Sequence, residues 1–270
     1  MTTLTFVKMV GTGNDFIMVD NRKGVFDAGR KELIERLCDR RNGVGADGII
    51  LIEDSESKDF RMRIINPDGS EVDMCGNGAR CAVEFARMIG IDKTGVEFET
   101  LFGPIRAERD DKGVRLNLGK PRDIRGSVPL EREGEALDAW FINTGVPHVV
   151  VFVSDVARAA VRETGRWVRY HERFAPKGAN CNFVEIRDEH RIAVRTYERG
   201  VEDETFSCGT GTCASALVSV LYKGCAWPVY SSTPRGETLL VDSAMTSPET
   251  PEDFFLAGPV ATVFSGTVDL

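Results

Sequence analysis

The feature that most restricts this chain is an internal repeat. Thr12-Gly13 returns as Thr144-Gly145, Gly45-Ala46 as Gly178-Ala179, and Cys75-Gly76-x-Gly78 as Cys208-Gly209-x-Gly211, in one order and each displaced by about 133 residues. Three landmarks that keep order and spacing imply two related halves, residues 1–120 and 121–257. Lys120-Pro121 is the expected crossing, because proline restricts its neighbour and tends to end regular structure. Residues 258–270 match neither half, carry a strand-like run at 261–264, and are expected to return to the first half.

Short apolar runs bounded by Gly, Pro, Asn and Asp predict strands at 4–7, 16–19, 49–52, 62–65, 114–118, 149–153, 182–186 and 192–197. Helical spacing is confined to 30–41, 77–90, 154–165 and 210–223. Many strands and few helices, without one-for-one alternation, point to an α+β (mixed α/β) class and fit a doubly wound nucleotide-binding sheet poorly. A mixed sheet wrapped around a helix fits better.

Composition removes several function classes. The 34 Lys and Arg against 42 Asp and Glu leave a net charge of −8, which argues against a surface that neutralises a phosphate backbone. Nucleic acid is therefore not an expected partner. With 42% apolar and 28% charged residues, the chain can bury a core. No apolar run is long enough for a membrane span, no secretory pattern opens the sequence, and the seven cysteines are odd in number. The expected compartment is a reducing cytoplasm.

In both halves the Cys-Gly-x-Gly unit follows a polar turn and opens an Ala-rich helical pattern, 79–86 and 212–217. Each thiol then sits just before a helix N-terminus, where the first N–H groups have no intrahelical partner and glycine allows close approach of a ligand. Such an end binds anions and favours a thiolate by about 0.3–1 kcal/mol, up to ~2 when partly buried. Two such thiols facing one cleft would titrate as a coupled pair, one thiolate and one thiol. That pair suits inversion of an amino-acid α-carbon: one sulfur removes a proton from one face and the other returns one to the opposite face. Inward-pointing N–H donors would stabilise charge building on the adjoining carboxylate. No phosphate-binding Gly-rich loop with lysine is present, and no lysine motif for pyridoxal phosphate stands out.

Other readings of the same residues stay open. A Cys-Gly-x-Gly unit can be a turn with an inert cysteine, and Cys75 with Cys208 could form a disulfide, read here as an oxidised inactive form. The Cys75/Cys81 and Cys208/Cys213 spacings lack the short gaps of structural zinc sites. Cys38, Cys81, Cys213 and Cys225 are expected to be buried apolar fillers. Asp68-Gly69-Ser70 reads as turn chemistry, and His148 as a core or loop hydrogen-bonding residue.

The segments at 11–16, 41–48, 66–71, 75–81, 143–148 and 197–200 running on to 208–211 resemble, across nearly the whole chain, the diaminopimelate epimerase family. The resemblance implies two pseudo-symmetric halves, each a mixed sheet around a central helix, no cofactor, and a homodimer. It implies interconversion of L,L- and meso-diaminopimelate for lysine and cell-wall synthesis, with Cys208 accepting the proton from the L,L substrate and Cys75 donating the new one. Gly76, Asn77, Gly209 and Thr210 would offer backbone N–H groups to the reacting carboxylate. Asn14, Asn66, Asn180, Glu198 and Arg199 would hold the distal amino-acid end, where a guanidinium suits a carboxylate and a carboxylate suits an ammonium. Gly48 and Val146 depart from the residues many members carry, Gln and Asn respectively. A cofactor-independent racemase of another amino acid and a two-lobed amino-acid-binding protein without chemistry are the alternatives.

Overall fold

The computed structural model describes residues 3–110, 113–132, 134–234 and 236–270. The chain divides into two compact units, residues 1–116 with 258–270, and residues 117–257. Each is a mixed sheet with a helix on either face.

In the first unit, strand Thr3–Gly11 turns back antiparallel into Asn14–Asp20, with Gly11 opposite Asn14. The two intervening residues, Thr12 and Gly13, have φ of 42° and 88°, the pair of positive values that a tight hairpin turn matched to strand twist requires. Helix α1 (Lys31–Cys38) carries the chain across to Gly48–Glu53, parallel to Asn14–Asp20 with Phe16 opposite Gly48. Phe60–Ile65 follows antiparallel. Helix α2 (Gly76–Met88) then crosses to Gly95–Thr100, parallel to Phe60–Ile65, and Gly103–Asp110 closes a further hairpin. The final strand, Ala261–Asp269, lies antiparallel on Thr3–Gly11.

The second unit repeats that order of pairings. Trp140–Asn143 and Pro147–Phe152 form a hairpin, and helix α3 (Val161–Arg169) leads to Asn180–Asp188, parallel to Pro147–Phe152 with His148 opposite Asn180. Arg191–Glu198 follows antiparallel. Helix α4 (Gly209–Lys223) crosses to Val229–Ser232, parallel to Arg191–Glu198, and Thr238–Ser243 and Phe254–Gly258 extend the sheet.

Alternation explains why the inner strands read as continuous apolar runs. Val150 faces the core around α4, while Val149 and Val151 face the core around α3. Both faces are covered, so successive side chains are all buried. The two central helices show the same economy: residues 76–83 of α2 are buried without a break, as are 211–219 of α4. A helix buried on every side can carry small and apolar residues throughout, and the Ala-rich segments after each cysteine do so.

Three of the four expected helices lie within a few residues of their expected bounds. The one expected at 154–165 is corrected. Asp155 caps a single 3-10 turn, Val156–Arg158, by accepting from the Ala157 N–H, Ala159 is extended (φ −59°, ψ 134°), and the α-helix begins only at Val161 and runs to Arg169. The asparagine-like capping chemistry of the aspartate outcompetes helix continuation there. Strands such as Gly95–Thr100 and Gly103–Asp110 were not expected, because they alternate buried Val96, Phe98, Ile105 and Ala107 with charged residues rather than forming apolar runs. Their charged faces pair across the hairpin, Arg106 with Glu97.

Candidate active site

Cys75 and Cys208 each occupy the N-cap of a central helix, in extended conformations of φ −138°, ψ 118° and φ −119°, ψ 107°. Ala79 N–H donates to the Cys75 carbonyl and Thr212 N–H to the Cys208 carbonyl, both at 2.8 Å, so the helical ladder starts at the cysteine backbone itself. The first N–H groups of an α-helix have no partner within it, and neither helix has a side-chain cap among the described residues. The residues carrying those groups are Gly76, Asn77 and Gly78 in one unit and Gly209, Thr210 and Gly211 in the other. Both helix mouths therefore carry partial positive charge beside a sulfur.

The other thiols are of a different kind. Cys75 is half-buried and Cys208 is buried at 8% exposure; Cys38, Cys81, Cys181, Cys213 and Cys225 are buried too, and none of these last caps a helix N-terminus. Burial pushes the Cys38 thiol up to about 11 and Cys81 to about 12, and raises Cys181 and Cys225 as well. These side chains are neutral fillers at any ordinary pH. Cys181, not singled out from sequence, belongs with them.

In the first unit Asn14 and Asn77 are joined. Asn77, 1% exposed, donates from Nδ2 to the Thr12 carbonyl at 3.0 Å and to Asn14 Oδ1 at 2.8 Å, while its Oδ1 accepts from the buried Arg80 guanidinium at 2.8 Å. Arg80 also donates to Thr12 Oγ1 at 2.8 Å, tying the hairpin turn to the first turn of α2. Asn14 Nδ2 donates to Asp47 at 2.9 Å, and Asp47 with Asp15 is held by Arg40. Lys8, 5% exposed, pairs Asp15 at 2.8 Å and donates to the Gly45 carbonyl. Hydrogen bonds and charge from Arg40 and Lys8, acting against burial, hold the Asp15 carboxyl far below the usual range. Asn66 is elsewhere engaged: its N–H donates to the Ser70 carbonyl at 2.8 Å and its Nδ2 to Ser70 Oγ at 3.0 Å. Asp68 accepts from both the Ser70 N–H and hydroxyl, the expected turn chemistry.

In the second unit Asn180 and Arg199 are joined: buried Asn180 Oδ1 accepts from the Arg199 N–H at 2.7 Å. The Arg199 guanidinium reaches the Lys177 carbonyl at 3.4 Å. Glu198 ends the strand Arg191–Glu198, and desolvation raises its pKa, partly offset by the nearby Thr205 side chain. A carboxylate held this dry favours a cationic partner.

His148 and Asn182 are the residues that sequence reasoning left without a site. His148 is fully buried, with Nε2 3.0 Å from the Thr210 hydroxyl and Nδ1 3.2 Å from Asn182 Nδ2. The Thr210 hydroxyl lies 3.6 Å from the Cys208 sulfur, so a polar chain runs from the sulfur into the core. Desolvation first, then the Arg199 charge, push His148 down to about 3, so it is neutral near neutral pH. The available signal was a His and an Asn inside otherwise apolar strands, since buried polar groups persist where they are hydrogen-bonded.

Comparison with known proteins places the chain in a family. The profile of the family described as diaminopimelate epimerase matches residues 6–124 and 140–247. The diaminopimelate epimerase of Aquifex aeolicus (strain VF5) is 45% identical, with 97% of each chain covered. That of Chlorobaculum tepidum is 41% identical over 97% of this chain and 100% of its own. Among solved structures, the Bacillus anthracis PhzF-family phenazine biosynthesis protein superposes with a TM-score of 0.77 at 17% identity, covering 100% of both chains, a likeness of fold. Matched across both units, including each cysteine-capped helix start, the chain belongs to the diaminopimelate epimerase family.

Proposed function

We propose that the chain is a cofactor-independent epimerase that interconverts L,L- and meso-2,6-diaminopimelate, using Cys208 and Cys75 as a thiolate/thiol pair, within lysine and cell-wall precursor synthesis. The observation that carries this reading is the duplicated N-cap cysteine in a chain of this family: two central helices, each opening on a sulfur and glycine-flanked N–H groups. In the L,L-to-meso direction the Cys208 thiolate takes the α-proton and becomes a thiol. The Cys75 thiol gives its proton to the opposite face of the same carbon and becomes a thiolate. No net proton is gained or lost, and the reverse reaction exchanges the roles. Charge that gathers on the α-carboxylate is met by N–H groups of Gly76, Asn77, Gly209 and Thr210.

Asn14, Asn66, Asn180, Glu198 and Arg199 are assigned to the distal amino-acid end, with Glu198 facing the ammonium and Arg199 the carboxylate. The reading includes a cytoplasmic homodimer. Among the described residues no helix is long and apolar enough to cross a membrane.

The test is α-proton exchange and epimerisation in heavy water across a panel of amino acids, with the wild type, Cys75→Ala and Cys208→Ala. Diaminopimelate is expected to be the preferred substrate, and each variant to lose at least about 10²–10⁴ in turnover, the usual worth of a general acid or base. Preference for another amino acid would replace the substrate assignment, a result that Val146 makes worth measuring. Ligand binding without exchange would replace the enzyme reading by a binding protein.

A further inference from the structure

We propose that Asn182 is a positioning residue that sets the direction of the hydrogen-bonded chain His148–Thr210–Cys208, so that the Thr210 hydroxyl donates its proton toward the Cys208 sulfur. The inference deepens the reading of Cys208 as an acid/base thiol and rests on it.

The direction follows from donors and acceptors. The Val149 backbone carbonyl can only accept, and Asn182 Nδ2 lies 3.0 Å from it. The Thr196 hydroxyl donates to Asn182 Oδ1 at 2.9 Å. Both contacts hold the amide in one orientation, and Asn182 and Thr196 are 0% and 3% exposed. The second Nδ2 hydrogen then faces His148 Nδ1 at 3.2 Å. A ring nitrogen that accepts an N–H carries its lone pair, so the single ring proton sits on Nε2. Nε2–H donates to Thr210 Oγ1 at 3.0 Å, and the hydroxyl hydrogen is left to point at Cys208 Sγ, 3.6 Å away. An O–H aimed at sulfur favours the thiolate over the thiol.

The charged groups around the chain agree with this polarity. Arg199 opposes protonation of His148. Glu198, two residues along the strand from Thr196, is itself raised by burial.

The first unit carries different residues at the positions that match His148 and Asn182. Its parallel strand pair sets Phe16 opposite Gly48 as the second sets His148 opposite Asn180, which puts Phe16 and Ile50 in the places of His148 and Asn182. His148 and Asn182 therefore belong to the Cys208 side of the repeat by sequence as well as by position.

The test uses the intact protein labelled with ¹⁵N-histidine, the His148 signals being those lost in His148→Gln. Near neutral pH the wild type is expected to show His148 neutral and protonated at Nε2; an Nδ1-protonated or doubly protonated ring overturns the proposal. In Asn182→Asp the carboxylate accepts from the ring, so the proton moves to Nδ1, Thr210 must donate to Nε2, and the sulfur loses its donor. The acidic limb of kcat/KM in the L,L-to-meso direction is then expected to move up by about one pH unit or more, with KM little changed. A flipped tautomer with an unmoved limb overturns the proposal while leaving Cys208 in its role. Undiminished turnover in Cys208→Ala would instead remove the underlying reading, whatever the tautomer.

Discussion

Gly211 packs so tightly against Asn182 that a Cβ at this position would overlap Asn182 Oδ1 and lie 3.2 Å from the Cys208 sulfur. The last residue of the Cys-Gly-x-Gly unit is therefore small because a buried amide passes beneath the helix mouth. Gly211→Ala would ordinarily gain about 0.5–1 kcal/mol of helix propensity. Here overpacking is expected to outweigh that gain and cost about 1–3 kcal/mol net, with turnover reduced as Asn182 is displaced. Urea unfolding and steady-state kinetics check both; a stabilised, fully active variant would contradict the packing.

Alkylation should discriminate among the seven thiols. With Cys38 held near 11 and Cys81 near 12, their thiolate fractions at pH 8 are about 10⁻³ and 10⁻⁴. Iodoacetamide is expected to modify Cys75 first, since it is half-buried while the others are buried, with loss of activity in step. Peptide mass spectrometry of partly modified protein reads the order, and early labelling of Cys38 or Cys81 would be the contrary result.

Acid should weaken the second unit through His148. Its folded pKa, about 3, lies below the ordinary 6.5, so between those values the unfolded chain binds the additional proton and stability falls as pH falls. The slope attributable to this group is about 1.4 kcal/mol per pH unit at its steepest. Urea midpoints between pH 4.5 and 7 should therefore fall more steeply for the wild type than for His148→Gln; equal slopes would show that the imidazole is hydrated or already charged.

Glu198→Gln tests the distal assignment. Losing a charged hydrogen bond to an ammonium costs about 1.5–3 kcal/mol, so kcat/KM for diaminopimelate should drop about tenfold to a hundredfold, mainly through KM. Because desolvation raises this carboxyl, its neutral replacement should not destabilise the fold. A drop confined to kcat would move Glu198 from binding to chemistry.

Lys8→Met removes the buried cation from the Lys8–Asp15 pair while Arg40 still holds Asp15. The cost should be about 2 kcal/mol, below the 3–5 of a lone buried pair for that reason. Asp15, depressed by its cations, contributes stability above its unfolded pKa of 3.8 that is lost as pH falls below it. That acid-dependent loss should shrink in the variant, as thermal melts at pH 3 and 6 would show.

The sequence by itself determined the two-fold repetition of the chain, the class of fold, the strands buried on both faces and the starts of the helices opened by Cys75 and Cys208. These are local: apolar run length, glycine spacing and helix-start chemistry act within a few residues. Strands with one charged face, such as Gly95–Thr100, were not legible, because Glu97 and Glu99 are explained only by the neighbours they meet. Nor was the helix at Val161–Arg169 placed correctly, since one capping aspartate diverted its first turn. Only the tertiary structure decided what lies behind each sulfur. His148, Asn182 and Thr210 are separated by 34 and 28 residues along the chain and meet because a parallel strand pair and the central helix bring them together. A buried polar contact is a property of two surfaces, and neither strand alone carries its complement.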